Sequence, residues 1–136
     1  MRAVLDANVF VSAAIGSTGP PAALINALRE GAFECITTGA LLSEVAHVLN
    51  SPTMRGRRPS PKDMDDIISA LVHSAHFVPD LAVDHGDVPG DADDDDLVAL
   101  AREWHAALVT GDRHLLDLPG MPAIMTPRRF LDLLEA

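Results

Sequence analysis

Ala3-Val4-Leu5-Asp6-Ala7-Asn8 near the start of the chain and Ala107-Leu108-Val109-Thr110-Gly111-Asp112 near its end share one pattern, a short apolar run broken by an acid. Such a run suits a strand buried on both faces of a parallel sheet. The segments between them alternate in the same way. Ala22 to Arg29 reads as a helix after the Gly16–Pro21 loop, with Leu24, Ile25 and Leu28 on one side and Gly31 past its end. Phe33 to Thr37 reads as a second strand, and Thr38 is a suitable cap for a helix running through Leu49. A further helix is predicted from Pro61 to Ala75, a short strand at His76–Pro79, and a helix from Leu97 to Ala107. A strand at Ala123–Met125 and a helix from Pro127 to Leu134 close the chain. Strands alternating with helices predict an α/β fold layered around a mainly parallel sheet.

The 136 residues are the size of a single domain, 1–136, and no linker or internal repeat divides them. With 48% hydrophobic and 22% charged residues, the chain has the balance of a globular protein. One Trp and no Tyr argue against an aromatic base-stacking platform. A lone cysteine, Cys35, excludes an internal disulfide and a cysteine-rich zinc site. Asp6 interrupts the apolar start, so no signal peptide is expected, and no apolar run is long enough to cross a bilayer. The expected location is cytoplasmic.

Charge is distributed unevenly. The net charge is -10, yet seven acids (Asp84, Asp87, Asp91, Asp93, Asp94, Asp95 and Asp96) share one window that holds no Lys or Arg. A polyphosphate partner would be repelled by that window unless a bound cation reversed the local potential.

Ligands of parallel sheets bind at the carboxyl ends of the strands. Asp6 and Asp112 are predicted there. Glu44 falls about 40° from Val48 at 100° per residue, on the border of the apolar stripe of its helix. The Asp91–Asp96 run opens the helix that carries Leu97 and Val98. Two carboxylates ~4 Å apart repel by roughly 4 kcal/mol at an effective dielectric of about 20, so a cluster of four must bind a cation, spread or take up protons. An all-oxygen set favours Mg²⁺ or Mn²⁺ over zinc. Each acid also has a plainer use: Asp6 can cap a turn or helix, Asp112 can serve a turn, Glu44 can be solvated, and the Asp run can complement a helix dipole.

Taken together, Val4-Leu5-Asp6-Ala7-Asn8-Val9-Phe10, Glu44 in Leu-Leu-Ser-Glu-Val, the Asp-rich turn before Leu97-Val98-Ala99, and Leu108-Val109-Thr110-Gly111-Asp112 resemble the PIN domain. The resemblance is closest to the VapC-like toxins of toxin–antitoxin pairs and extends over nearly the whole chain. It implies a three-layer α/β/α sandwich and a Mg²⁺- or Mn²⁺-dependent endoribonuclease acting on RNA. By motif position Asp6, Glu44 and Asp112 match the first, second and fourth acids, while Asn8 and Thr110 match polar neighbours. Counting back from Val98 selects Asp95 as the third acid, with Asp93, Asp94 and Asp96 adjacent and Asp91 in support. The chain departs from the pattern at Gly90 and Ala92, where relatives often carry Arg and Pro. A small antitoxin protein and a homodimer follow from the resemblance alone, the Leu24–Leu28 and Met64–Val72 helices offering contact surfaces.

The mechanism expected from this set is metal held by Asp6, Asp95 and Asp112, with Glu44 bound directly or through water. A hydroxide would attack the phosphate in line and expel the 3′-oxygen. Arg55, Arg57, Arg58 and Lys62, with Arg128 and Arg129, are candidate phosphate contacts, or simply surface charge. Two other readings remain open. A silent PIN-like module would bind RNA or protein without cutting. A haloacid-dehalogenase-like phosphatase would want a second Asp where Asn8 stands and a lysine near the late acids, and Lys62 is the only lysine. His73 and His76 lack zinc-type partners, and Asp91-x-Asp93-x-Asp95 continues with Asp96 where a calcium loop needs Gly.

Overall fold

The computed structural model describes residues 1–16, 18–51, 59–80, 92–120 and 122–136, and only the backbone at 92–95. Five strands form one sheet: β1 (Arg2–Leu5), β2 (Glu34–Thr37), β3 (His76–Phe77), β4 (Ala107–Val109) and β5 (Ile124–Met125). All pair in parallel, in the order β3-β2-β1-β4-β5. The apolar runs do form the sheet centre. Val4, Leu5, Leu108 and Val109 are fully buried, as strands covered on both faces must be.

Seven helices are seen among the described residues: α1 (Ala7–Ile15), α2 (Pro20–Arg29), α3 (Gly39–Leu49), α4 (Pro61–Ser74), α5 (Ala92–Glu103), α6 (Arg113–Leu116) and α7 (Pro127–Glu135). With the right-handed crossovers usual between parallel strands, this strand order puts α1 to α4 over one face of the sheet and α5 and α6 over the other. Accordingly α1 packs on α2, α3 and α4, whereas α5 packs on β1 and β4. α7 returns to α2, where Phe130 meets Phe33 edge to face at 5.1 Å between ring centroids. The expected α/β/α sandwich is the observed fold.

Local signals set most boundaries. Thr38, Ser60 and Thr126 each accept a hydrogen bond from a backbone N–H of the helix that follows, and a proline fits the first turn of α2, α4 and α7. Gly31 ends α2 at φ 73°, with its N–H donating to Leu28 and that of Ala32 to Ala27.

Two elements differ from the sequence expectation. α1 was not anticipated. Its segment Val9-Phe10-Val11 is apolar without an amphipathic period, because Ala7, Val9, Phe10, Val11 and Ala14 are all buried between sheet and helices. The helix before β4 is shifted towards the N-terminus: it begins at Ala92 and stops at Glu103, where Leu97 to Ala107 was expected. Its stop is a Schellman turn with His105 at φ 50°, the His105 N–H donating to Arg102 and that of Ala106 to Ala101. No glycine marks this turn, so composition gave no sign of it.

The Leu24, Ile25 and Leu28 face of α2 is also consumed inside the chain, each residue being at most 1% exposed. It is therefore not available as a dimer surface. On α4, Ile67 and Leu71 are buried, while Val72 is exposed. Among the described residues no helix is long and apolar enough to cross a membrane.

Candidate metal centre

From β1 the chain winds through β2 to β3 on one side, and β4 enters on the other side of β1. The gap between the carboxyl ends of β1 and β4 is thus the switch point of the topology, where connections diverge and leave a crevice. Asp6 follows β1 at this place, and Thr110-Gly111-Asp112 follow β4.

One hydroxyl joins the two acids. Thr110 Oγ1 donates to Asp6 Oδ2 at 2.7 Å and accepts the Asp112 N–H at 3.0 Å. Thr110 is fully buried and Asp6 is 7% exposed, so this link is shielded from water. The Asp6 backbone N–H donates to Val109 at 3.0 Å and extends the β1–β4 pairing by one residue. Each acid is also a helix cap. Asp6 Oδ1 accepts the Asn8 N–H at 3.3 Å at the start of α1, and Asp112 Oδ1 accepts the His114 N–H at 2.9 Å at the start of α6. Capping and site-forming are therefore compatible in both residues.

An ionised carboxylate has about four acceptor positions, and Asp6 uses two of them on Asn8 and Thr110. Among the described residues no Lys, Arg or His forms an ion pair with Asp6 or Asp112. A buried carboxylate without a positive partner is costly, and a hard dication is the partner that its remaining oxygen positions suit.

The other expected residues lie in different settings. Glu44 is half-buried on α3, which packs on α1. Among the described residues no three Asp, Glu, His or Cys side chains form a group that could hold a metal ion. Asp96 is exposed, and the side chain of Asp95 lies outside the described residues, as do Asp91, Arg55, Arg57 and Arg58. Lys62 is exposed in the first turn of α4. Its neighbours Asp63 and Asp66 line a cavity with Ala13, Ala14 and Ile15, at the far end of α1 from Asp6. Arg128 and Arg129 are exposed in the first turn of α7.

Beside the acids runs a groove of 240 Å³ that the sequence did not reveal. Asn8 and Gly111 line it, together with Ser12 and Arg128 and with apolar Val9, Pro20, Pro21 and Pro127. The proline pair looked like a helix start and nothing more, because only the packing of α1, α2 and α7 shows what it faces.

A family model for the PIN domain matches residues 2–114, a span that contains both acids and the whole β1–β4 pair. The chain belongs to the PIN domain family. This PIN domain is 26% identical over 118 residues to the uncharacterized protein MJ1680 of Methanocaldococcus jannaschii, with 87% of this chain and 75% of that protein covered. Its fold resembles the crystal structure of PAE2754 from Pyrobaculum aerophilum, with a TM-score of 0.71 at 17% identity over 99% of this chain and 90% of that one. It also resembles VapBC2 from Rickettsia felis, solved bound to a DNA fragment from its promoter. There the TM-score is 0.64 at 12% identity, covering 93% of this chain and 98% of the other.

Proposed function

We propose that this PIN domain is a divalent-metal-dependent endoribonuclease, the toxin of a toxin–antitoxin pair. The observation that carries the reading is the buried Asp6–Thr110–Asp112 link at the switch point, in a chain whose family is typically one of metal-dependent nucleases. Asp6, Asp95 and Asp112, with Glu44 directly or through water, are the residues proposed to hold Mg²⁺ or Mn²⁺. When bound, such an ion lowers the pKa of water and offsets phosphate charge.

The rest of the work falls to the chain. Thr110 fixes the Asp6 carboxylate in rotation, so its free oxygen positions face a constant direction. The N–H of Asp112 is anchored on the same hydroxyl, which sets where its carboxylate leaves the backbone. Preorganisation of this kind avoids reorientation during the reaction. Arg128, which lines the groove with Asn8 and Gly111, is a proposed contact to the RNA backbone, with Arg129, Lys62, Arg55, Arg57 and Arg58 as further phosphate contacts. The domain is taken to span 1–136 and to act in the cytoplasm.

Similarity to VapBC2 supports a small antitoxin protein as partner, and a homodimer is the assembly proposed with it. Cleavage of single-stranded RNA in Mn²⁺ or Mg²⁺, compared with chelator and with Asp6→Asn, tests the activity. Cutting that needs the metal and disappears in Asp6→Asn is the expected result. RNA binding without cutting would favour a silent module instead, and hydrolysis of a phosphomonoester but not RNA would favour a phosphatase.

A further inference from the structure

We infer that the groove beside the acids is a subsite for one nucleobase, that of a nucleotide flanking the cleaved phosphate; this rests on the nuclease reading above. Two of its lining residues connect it to the acids. The Asn8 N–H donates to the Asp6 carboxylate, and Gly111 stands between Thr110 and Asp112. An occupant of the groove is therefore within about one residue of the carboxylates.

The chemistry of the walls selects the occupant. Val9, Pro20, Pro21 and Pro127 offer apolar surface, against which a bare phosphate gains nothing and a flat heterocycle is stabilised by burial. In a chain with one Trp and no Tyr, the C–H edges of proline rings can provide the apolar contact to a base face that aromatic side chains give elsewhere. Among the described lining residues Arg128 alone carries a charge, and its exposed guanidinium suits the phosphate of the same nucleotide. At 240 Å³ the groove is below the ~300 Å³ at which pockets for drug-sized ligands begin, so it accepts one ring system rather than a stacked pair. An apolar side chain of a partner protein is the competing occupant, but it would leave Arg128 without a role.

The test needs no cleavage. The full chain, labelled with ¹⁵N, is titrated with adenosine and cytidine 5′-monophosphates and with ribose 5-phosphate, without added metal. The amides of Val9, Ser12 and Gly111 should shift, with a mononucleotide binding at least about fivefold more tightly than ribose 5-phosphate. Ser12→Trp, which fills the groove from an exposed position, should abolish that difference, and Arg128→Ala should weaken both ligands alike. Equal affinity for the two, or shifts confined to other amides, overturns the subsite. Movement of the same amides by N-acetyl-leucinamide but not by a mononucleotide also overturns it and assigns the groove to a protein side chain. Loss or persistence of metal-dependent cutting in Asp6→Asn is read separately, so the two inferences fail independently.

Discussion

Two threonines at the carboxyl end of the sheet have equal burial and opposite circumstances. Thr37 ends β2 and Thr110 follows β4, on either side of β1, and both are fully buried. Thr110 donates to Asp6 and accepts from Asp112. Thr37 Oγ1 has no hydrogen-bond partner among the described residues. Two positions before it on the same strand, the buried Cys35 thiol is pushed up to about 12 by desolvation. On the β2 side of β1 the Thr37 hydroxyl meets no protein partner among the described residues, and on the β4 side the polar groups are interlocked. Residue type and burial cannot separate these threonines. Only the side of the switch point on which each stands does so.

The comparison breaks first at the acids. Asp6→Asn should lower metal-dependent RNA cleavage by about 10²- to 10³-fold, the loss typical of removing one preorganised stabilising group, while circular dichroism stays native. An undiminished rate would remove the β1–β4 side from the chemistry. Thr110→Val tests the same side one step further out. It deprives Asp6 of its hydroxyl donor, so cleavage should fall about 10- to 100-fold and stability by about 1 to 3 kcal/mol, read by kinetics and urea denaturation.

Thr37→Val should do the reverse. Replacing an unpaired buried hydroxyl with a methyl group should raise stability by about 1 kcal/mol and leave cleavage unchanged. A loss of stability would show that Thr37 is partnered after all. The smallest effect concerns Cys35 and emerges only in alkali. Its folded pKa is raised from 9.0 to about 12, so the folded state holds its proton more firmly than the unfolded chain does. The associated stabilisation is complete below the unfolded value and is lost as pH rises from there towards the folded value. Wild-type protein should therefore lose stability between those limits more steeply than Cys35→Ala in denaturation series, and the slopes should agree at neutral pH.

Legibility from the sequence followed the range of the forces involved. Asp6 could be picked out because it directly follows an apolar run whose composition declares a strand, and Asp112 because only Thr110 and Gly111 separate it from another. Thr38 declared the start of α3 by capping chemistry confined to three residues. α1 escaped notice because the run Val9-Phe10-Val11 is buried throughout and leaves Asn8 and Ser12 as a narrow exposed edge, too little polar contrast for a helical period to be read. The left-handed turn at His105 escaped because nothing in a histidine announces positive φ. Glu44 could be placed on the border of its helix stripe, as its half-burial bears out, but its distance from the acids depends on how α3 leans on α1.

The order of the strands was beyond local signals altogether. Short-range chemistry wrote the caps, the turns and the apolar runs, which is why the sequence alone determines the alternating α/β layout and nominates its strand-end acids. Tertiary structure decided that β4 lies against β1, bringing Thr110 to Asp6 across 104 positions of chain, and that Pro20, Pro21 and Pro127 close a groove beside them. Pairing between distant strands and packing between distant helices are set by the burial of the whole core. No window along the chain contains both partners of such a contact.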